Sequence, residues 1–406
     1  MKIAGITAEY NPLHDGHQYH IRKTRQCTGA DAIIALISSN FTQRGEPSIV
    51  DKRARAIIAT ACGADLVLEL PCAFSCRNAG IFANAAVDIL SATGVVNVIS
   101  FGTEAGDGGV KTFEEIARVL NDEPVEFKET LKKNLDEGHS FVQSRSIALD
   151  ELIPGALALL STPNNNLALA YIKRIMEKKY AMETLHIQRE GTGFHEKESK
   201  PGEFASASSV RAMIEREGAE AARGSIPDVC ADILSAEIGG GHAVIGSGRL
   251  WRAVKQAALR SSRDDMSDIA EMREGMENRM RRAAYEASSL DEFVDFCTSR
   301  RYTAGRIKRY CVHLLLNLRD GRSKKFQERG PAYIRALAAN SVGREVLRLM
   351  RKRATLPLLS KPGGRVTHYA SEIMNFERSS SEMWETLTDC PRHNAESRMH
   401  AIMSEK

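Results

Sequence analysis

The sequence predicts an α/β protein in which a doubly wound parallel sheet is followed by an all-helical region. Two observations support this prediction. Residues 1–189 alternate short apolar runs with helix-length patterns, and the chain after residue 218 shows no convincing strand pattern. The apolar runs are continuous rather than alternating, which is typical of parallel strands covered on both faces. Ligands of such sheets bind beyond the carboxyl ends of the strands.

Each predicted element has its own pattern. Short apolar runs predict five strands, at Lys2–Thr7, Ala32–Ile37, Asp65–Leu70, Val95–Phe101 and Thr184–Arg189. Helical patterns separate them, at 16–25, 51–62, 79–92, 113–160 and 163–179. A further helix begins at the serine-rich segment Ala205–Arg211, since serine is a preferred N-cap residue. We expect two domains, at 1–217 and 218–406, with a glycine-rich junction at Gly239–Gly248 in the second.

The charge of the chain is unevenly distributed. The formal net charge is only +4, but Arg300–Arg365 holds 18 basic and three acidic residues, a net of +15 that leaves −11 for the rest. Such asymmetry favours a polyanionic partner. No apolar run approaches the ~18 residues of a membrane span, and the acidic Glu9 interrupts any signal peptide. Eight scattered cysteines predict reduced thiols in a cytoplasmic protein. Separately, the sequence gives no evident sign of an obligate protein partner.

The motif His14-Asp15-Gly16-His17 follows the first predicted strand and opens the first helix. The backbone amides and the dipole of a helix start favour an anion there, and Gly16 permits close approach of a ligand. Two imidazoles can donate to phosphate oxygens and stabilise charge developing at phosphorus. The lysine of a phosphate-binding Gly-rich loop is missing, which disfavours ATPase or kinase chemistry of that type. A zinc site formed by His14, His17 and His20 is also disfavoured, because no fourth ligand is evident nearby.

Other residues at strand ends and helix starts are candidates with two interpretations. Gly102 is either a ligand contact or a plain turn glycine, and Asn164 and Asn165 are either ligand contacts or helix caps. Arg189 binds phosphate or pairs with a surface acid. Arg44 binds substrate or forms a structural ion pair, and the same loop offers Asn40 and Gln43.

Several longer strings resemble one family. They are Ala8–His20, Ser39–Pro47, Ser100–Glu104, Pro163–Asn165 and Ala205–Arg211. Together they resemble the bacterial tRNA cytidine acetate ligases of the nucleotidyltransferase superfamily. The resemblance is close over about the first 215 residues and weaker at Ala304–Arg309 and Lys352–Lys361. It implies a Rossmann-like fold of the nucleotidyltransferase type. It also implies that ATP activates acetate as acetyl-adenylate, which then acetylates the wobble cytidine of elongator methionine tRNA.

The resemblance implies an ATP site around His14 and His17 as the catalytic pair. The expected nucleotide-binding residues are Thr7, Ala8, Glu9, Tyr10, Asn11, Pro12, Leu13, His14, Asp15, Gly16, His17, Gln18, Tyr19, His20, Gly102, Asn164, Asn165, Arg189, Ser208 and Arg211. Mg²⁺ is expected to be carried on the phosphates of ATP. The sequence departs from the family pattern at Leu13, Thr42 and Phe194–Glu196, so whether His195 takes part stays open.

Basic residues after residue 300 are the candidates for binding tRNA. They are Arg301, Arg306, Lys308, Arg309, Lys324, Lys325, Arg351, Lys352 and Arg353. Two alternative functions remain. A small-molecule adenylyltransferase seldom needs a basic helical region of this length, and a non-catalytic RNA-binding protein would not need an intact His14, Gly16 and His17. The sequence identifies no general base for acetyl transfer and does not define the oligomeric state.

Overall fold

The computed structural model of the chain describes residues 1–106, 109–139, 141–189, 204–364 and 366–404. Its strands are β1 (Ile3–Ala8), β2 (Ala32–Ser38), β3 (Leu66–Leu70), β4 (Val98–Thr103), β5 (Glu183–Gln188), β6 (Ile334–Ala339), β7 (Leu358–Leu359) and β8 (Ile402–Met403). The helices before residue 218 are α1 (Asp15–Thr28), α2 (Lys52–Ala61), α3 (Cys72–Ser75), α4 (Ala79–Ala92), α5 (Gly109–Asp122), α6 (Val125–Asp136), α7 (Phe141–Leu152), α8 (Ala156–Leu159), α9 (Pro163–Lys178) and α10 (Ala207–Glu217).

The chain after residue 218 is mainly helical. A 3₁₀ turn at Ala219–Ala222 precedes α11 (Asp228–Gly239), α12 (Gly248–Arg260), α13 (Arg263–Ser267), α14 (Met276–Glu286), α15 (Leu290–Cys297), α16 (Ala304–Leu315), α17 (Asp320–Arg329), α18 (Ser341–Arg353), α19 (His368–Glu385) and α20 (Ala395–Arg398). Within the described ranges, no helix is both long and apolar enough to cross a membrane.

The sheet has the order β5-β4-β1-β2-β3-β6-β7, and β8 also pairs with β6. The first five strands are parallel, and the strand order reverses between β1 and β4. Alternate residues of a strand enter different apolar clusters: Ile34 and Leu36 lie in one, and Ile33 and Ile37 in the other. The sheet is therefore covered on both faces, which confirms the doubly wound α/β prediction.

The prediction that no strand follows residue 218 is wrong. β6 is fully buried and pairs antiparallel with β3, with Leu66 opposite Ala339, so the sheet is mixed. The sequence pattern does not indicate this strand, because three of its residues are the helix-favouring alanine and Arg335 interrupts the apolar run. The charge of Arg335 is tolerated there because its guanidinium pairs with the buried Glu396.

A further difference concerns the boundary of one element. β4 begins at Val98, three residues later than predicted, because the N–H of Val95 bonds the Thr93 hydroxyl instead of a strand. One apolar cluster continues from the sheet to Trp251, Tyr310 and Trp384, so the helices after residue 218 share a core with the sheet.

Candidate active site

The turn between β1 and α1 places two histidines at the carboxyl end of the central strand, where the strand order reverses. Asn11 anchors this turn, since its side-chain oxygen accepts from the N–H of Ile49 at 2.8 Å. His14 is the N-cap of α1. The unpaired N–H groups of a helix start attract an anion, so this turn is suited to phosphate.

The rings of His14 and His17 stack with their centroids 3.8 Å apart, and Tyr10 meets His17 edge-on at 5.1 Å. His17 Nδ1 accepts from the N–H of His14 at 3.3 Å, which assigns the proton of neutral His17 to Nε2. The buried Nδ1 of His14 has no hydrogen-bond partner within the described ranges. Each ring therefore has a nitrogen available to a ligand.

The site keeps its histidines neutral. Burial, Arg189 and Arg211 together lower the pKa of His14 to about 3. Burial and the neighbouring His14 and Arg189 hold the pKa of His17 well below its ordinary value. Near neutral pH both imidazoles are thus uncharged hydrogen-bonding groups, and the positive charge of the site comes from arginine.

His20 lies one turn further along α1 and has an internal partner. Its Nε2 is 3.0 Å from the hydroxyl of Ser100, which is itself 2.7 Å from the hydroxyl of Thr24. Burial and Arg189 lower the pKa of His20 to about 4. These two hydrogen bonds fix α1 against β4. Gln18, by contrast, lines a separate cleft with Arg22 and Arg25.

Arg189 follows β5 and lies across Gly102 at the end of β4. A Cβ on Gly102 would come within 3.1 Å of the Arg189 side chain, so glycine provides the space for that arginine. Arg189 Nε is 3.6 Å from Glu104 Oε1, and the Arg189 side chain is about half exposed. The arginine is thus positioned beside the histidine pair and accessible to a phosphate.

Glu104 is a site residue that the sequence reasoning missed. It binds the side chains of Arg189, Asn164 and Thr162, and its own N–H donates to Asn165 Oδ1 at 2.9 Å. The signal was present, because Glu104 closes the string Ser100–Glu104. Asn165 is buried and also donates to a backbone carbonyl, so it holds the start of α9 against β4.

Arg211, in the first turns of α10, reaches back to the β1–α1 turn. It donates to the carbonyl of Asn11 at 2.9 Å, to Glu46 Oε2 at 3.1 Å and to the Ser208 hydroxyl at 3.3 Å. Ser208 also accepts from Arg44 at 3.3 Å. The structure therefore brings Arg44, a predicted substrate contact, together with Ser208 and Arg211, which were predicted to bind the nucleotide.

The loop after β2 connects this group to α16. Glu46 Oε1 accepts from Lys308 at 2.7 Å, and the carbonyl of Gln43 accepts from Arg309 at 3.3 Å. The N–H of Gln43 donates to Glu9 Oε1 at 2.7 Å, which joins the loop to the end of β1. A Cβ on Gly45, whose φ is 76°, would overlap the backbone of α16.

Two buried cations behind this loop were not predicted as site residues. Arg55 donates to the carbonyls of Glu9, Ser38 and Ser39 and so clamps the carboxyl ends of β1 and β2 together. Burial lowers the pKa of Arg55 to about 10, which still leaves it charged. Arg55 and the second cation, Lys52, both lie in α2, whose regular helical pattern in the sequence does not indicate buried charged contacts.

Lys52 is the second cation, and its ammonium group contacts the three buried carboxylates Glu69, Glu377 and Glu396. These carboxylates could otherwise hold a metal ion, but the lysine ammonium lies among them. Asn40, a candidate substrate residue, is also tied into this region, since its Oδ1 accepts from the N–H of Lys52 at 2.8 Å. Whether Asn40 also meets a substrate stays a prediction.

The nine candidate RNA-binding residues do not form one group. Arg306, Lys308 and Arg309 lie on α16 beside the loop after β2, whereas the others lie elsewhere on the C-terminal half. Arg301 pairs with Glu274, Lys324 with Asp320 and Lys325 with Glu372. Arg351–Arg353 end α18 and are exposed. His195 lies outside the described residues.

Three comparisons place this geometry among known proteins. The model of the HIGH Nucleotidyl Transferase family matches residues 1–398. A tRNA(Met) cytidine acetate ligase of Thermoanaerobacter sp. (strain X514) is 35% identical over 388 residues, which cover 95% of this chain and 94% of that protein. One from Syntrophomonas wolfei is 37% identical over 366 residues, covering 89% and 87%.

Two crystal structures of Thermotoga maritima TmcAL also match this chain. The apo form has a TM-score of 0.94 and the form bound with alpha-thio ATP a TM-score of 0.91. Both are 30% identical in sequence, and the match covers 100% of both chains. The likeness therefore extends over the C-terminal helices as well as the sheet.

Proposed function

The chain belongs to the tRNA(Met) cytidine acetate ligase family of the HIGH nucleotidyl transferases, and on that premise we propose its reaction. It uses ATP to activate acetate as acetyl-adenylate and then acetylates the wobble cytidine of elongator methionine tRNA. The observation that carries the proposal is the neutral, stacked His14–His17 pair at the start of α1, flanked by Arg189 and Arg211.

In the first step, an acetate oxygen attacks the α-phosphorus of ATP, and the bond to the β-phosphate oxygen breaks to release pyrophosphate. We propose that His17 Nε2–H and the unpartnered nitrogen of His14 hold the α-phosphate oxygens, which the tautomer of His17 and the orphaned His14 Nδ1 support. Arg189 and Arg211 neutralise the leaving pyrophosphate, and the Ser208 hydroxyl lies beside Arg211. Catalysis then rests on positioning and electrostatic stabilisation, without a covalent enzyme intermediate.

Three of the carboxylates that line the site are already engaged. Glu46 binds Arg211 and Lys308, Glu104 binds Arg189, and Glu9 accepts from the N–H of Gln43. We therefore propose that Mg²⁺ is held chiefly by phosphate oxygens and water, as this ion prefers. There it would supply charge neutralisation for the triphosphate.

In the second step, the exocyclic amine of cytidine attacks the acetyl carbonyl and AMP leaves with the electron pair of the acyl–phosphate bond. We propose that residues 1–217 carry the ATP site and that most tRNA contacts come from residues 218–406. The supporting feature is α16, whose Lys308 and Arg309 reach the loop after β2. A bound tRNA would thus lie next to the adenylate.

We also propose a cytoplasmic location, where tRNA is modified. All eight cysteines are free thiols, and six of them are buried. Unpaired cysteines in this number suit a reducing compartment.

One experiment tests the reaction against its alternatives. The protein is incubated with ATP and labelled acetate, with and without bulk tRNA, and pyrophosphate and acetylated nucleoside are followed. Label in the cytidine of tRNA supports the ligase. Pyrophosphate release that requires a phosphorylated small molecule would instead indicate an adenylyltransferase, and tRNA retention without any turnover would indicate a binding protein.

A further inference from the structure

An open cleft of about 450 Å³ lies between the start of α4, the segment before α14 and the helix α16. Its lining residues are Asn78, Glu271, Arg273, Arg306 and Arg309. This cleft borders the ATP site, because Arg309 also donates to the carbonyl of Gln43, in the loop after β2. A ligand in it would lie one loop away from the histidine pair.

The cleft carries an excess of positive charge. Within the described ranges, no carboxylate lies within 4.0 Å of the guanidinium of Arg306 or Arg309. The buried Nε of Arg309 and the buried Nη1 of the adjoining Arg77 have no hydrogen-bond partner there. Arg77 and Arg273 differ from Arg306 and Arg309, since Glu271 accepts from Arg77 and Asp320 accepts two bonds from Arg273. Unsatisfied guanidinium groups of this kind are suited to a phosphate.

Arg306 is held in place before any ligand arrives. Its guanidinium lies 4.5 Å from the ring centre of Tyr302 and 5.5 Å from that of Tyr310, and its Nε donates to the Tyr310 hydroxyl at 2.6 Å. Because both tyrosine rings are buried, neither can stack on a base. They instead fix the arginine, which lowers the entropy lost when it binds an anion.

Glu271 determines which anion fits. Its Oε1 accepts from Arg77 at 3.2 Å and from Asn78 at 3.4 Å, and in the described part of the chain Oε2 has no hydrogen bond. A carboxylate among the arginines repels a di- or triphosphate but accepts from an amino group. The cleft therefore favours a ligand with one negative charge and an amine, and a nucleotide with an amino-bearing base has both.

We propose that this cleft binds one unpaired nucleotide of the tRNA, next to the acceptor cytidine. Its backbone phosphate contacts Arg306 and Arg309, and the exocyclic amine of its base donates to Glu271. The openness of the cleft to solvent suits a ligand that is part of a larger molecule. This proposal rests on the proposed function, because it takes tRNA as the acceptor.

The test compares Arg306→Ala with Arg252→Ala, an exposed arginine of α12. For Arg306→Ala we expect the KM for tRNA to rise at least about tenfold, and the slope of log affinity against log salt to shrink by about 1. Pyrophosphate release without tRNA reports the ATP site separately. The rise in KM must exceed any change in that rate, and Arg252→Ala should show neither effect.

A second arm tests the base contact. Each flanking nucleotide whose base carries an exocyclic amine is replaced by an analogue without that amine, such as purine riboside for adenosine. One replacement should weaken binding to the wild type and have no further effect on Glu271→Ala. An unchanged KM and salt slope in Arg306→Ala, or equal analogue effects in both proteins, would overturn the proposal.

The two proposals fail in different ways. If the wild type makes no acetylcytidine, the proposed function is wrong, and retention of tRNA on a filter then tests the cleft alone. Retention that Arg306→Ala weakens and Arg252→Ala does not would support the cleft as an RNA site. Retention that neither variant changes would reject it.

Discussion

Lys52 Nζ donates to Glu377 Oε1 at 2.5 Å, and so links the start of α2 to a helix 325 residues further along the chain. Both side chains are almost completely buried. Glu377 also accepts from Ser39 and, through its second oxygen, from the N–H of Cys72 at 2.6 Å. The pair therefore holds the loops at the ends of β2 and β3 against the C-terminal helices.

Replacing Lys52 by methionine should destabilise the protein by about 3–5 kcal/mol, because it removes the cation shared by three buried carboxylates. Glu69 and Glu396 would keep Arg335 nearby, whereas Glu377 would lose its cation. The measurement is the free energy of unfolding from denaturant titration. Lys52→Met combined with Glu377→Gln should recover part of the loss. A single variant as stable as the wild type would show that the cluster contributes little to the fold.

Gly45→Ala should separate the loop after β2 from α16, because the added Cβ would lie closer than 3.0 Å to the backbone of Lys308 and Arg309. We expect a larger loss of stability than for Gly29→Ala, together with a higher KM for ATP. Gly29 also has a positive φ, 62°, but its Cβ would meet nothing within 4 Å, so it should cost only about 1 kcal/mol. Equal losses would mean that the close approach does not matter.

His17→Ala should reduce acetylation by about 100- to 1000-fold or more, because it removes a donor to the α-phosphate. Retention of tRNA on a filter should stay nearly unchanged. The rates are measured with labelled acetate at saturating tRNA. If retention also collapsed, the separation of an N-terminal ATP site from a C-terminal RNA surface would be incorrect.

Arg211→Ala should weaken ATP binding by about 10- to 100-fold, as expected for a lost hydrogen bond to a charged group. Glu46 would keep Lys308 as a partner, so the fold should survive. Arg216→Ala is the matched control, because Arg216 lies on the same helix, its side chain is 71% exposed and, among the described residues, it pairs only with its neighbour Glu217. Calorimetric titration with ATP measures both. Similar affinities in the two variants would exclude Arg211 from the nucleotide site.

The free energy of unfolding should fall as the pH drops below about 6.5. His14 and His20 have pKa values of about 3 and about 4 in the folded protein, lowered from 6.5 chiefly by burial. At a pH between the pKa of the folded protein and 6.5, the unfolded chain binds more protons than the folded one. The contribution of these neutral histidines to the free energy of unfolding is therefore fully present above pH 6.5. As the pH falls from 6.5 towards the folded pKa, each histidine lowers the free energy of unfolding by about 1.4 kcal/mol per pH unit.

Denaturant titrations of the ligand-free protein between pH 7 and pH 4.5 measure this slope. His20→Asn should remove the share that belongs to His20, while the Asn side chain can still bond Ser100. A slope that is the same in wild type and variant would contradict the low pKa of His20 in the folded state.

Much of the site could be predicted because its signals are local. His14, Gly16 and His17 occupy one turn, and that turn follows an apolar run whose position in a parallel sheet is readable from the sequence. Arg189, Ser208 and Arg211 were found for the same reason, since each lies at a strand end or a helix start. Glu104 was within reach, but a single acid after a strand carries no periodic signal.

The residues that reasoning from the sequence missed act over long distances in the chain. Arg55 and Lys52 lie within a regular helical pattern, and only the folded chain shows that their charged ends bind carbonyls and carboxylates. β6 was missed because Arg335 and its alanines do not look like a buried strand. The carboxylate that pairs with Arg335 belongs to Glu396, which is 61 residues further along the chain.

The sequence by itself determined the doubly wound sheet, the histidine turn and the basic charge of the C-terminal half, because periodicity, capping and charge are properties of neighbouring residues. Only the tertiary structure decided which basic residues meet the ATP-site loop. Lys308 and Arg309 do so through Glu46 and Gln43, whereas Arg351–Arg353 lie at the exposed end of α18. Contacts between residues more than 260 positions apart depend on how β6 and α16 pack onto the sheet, and no local pattern records that packing.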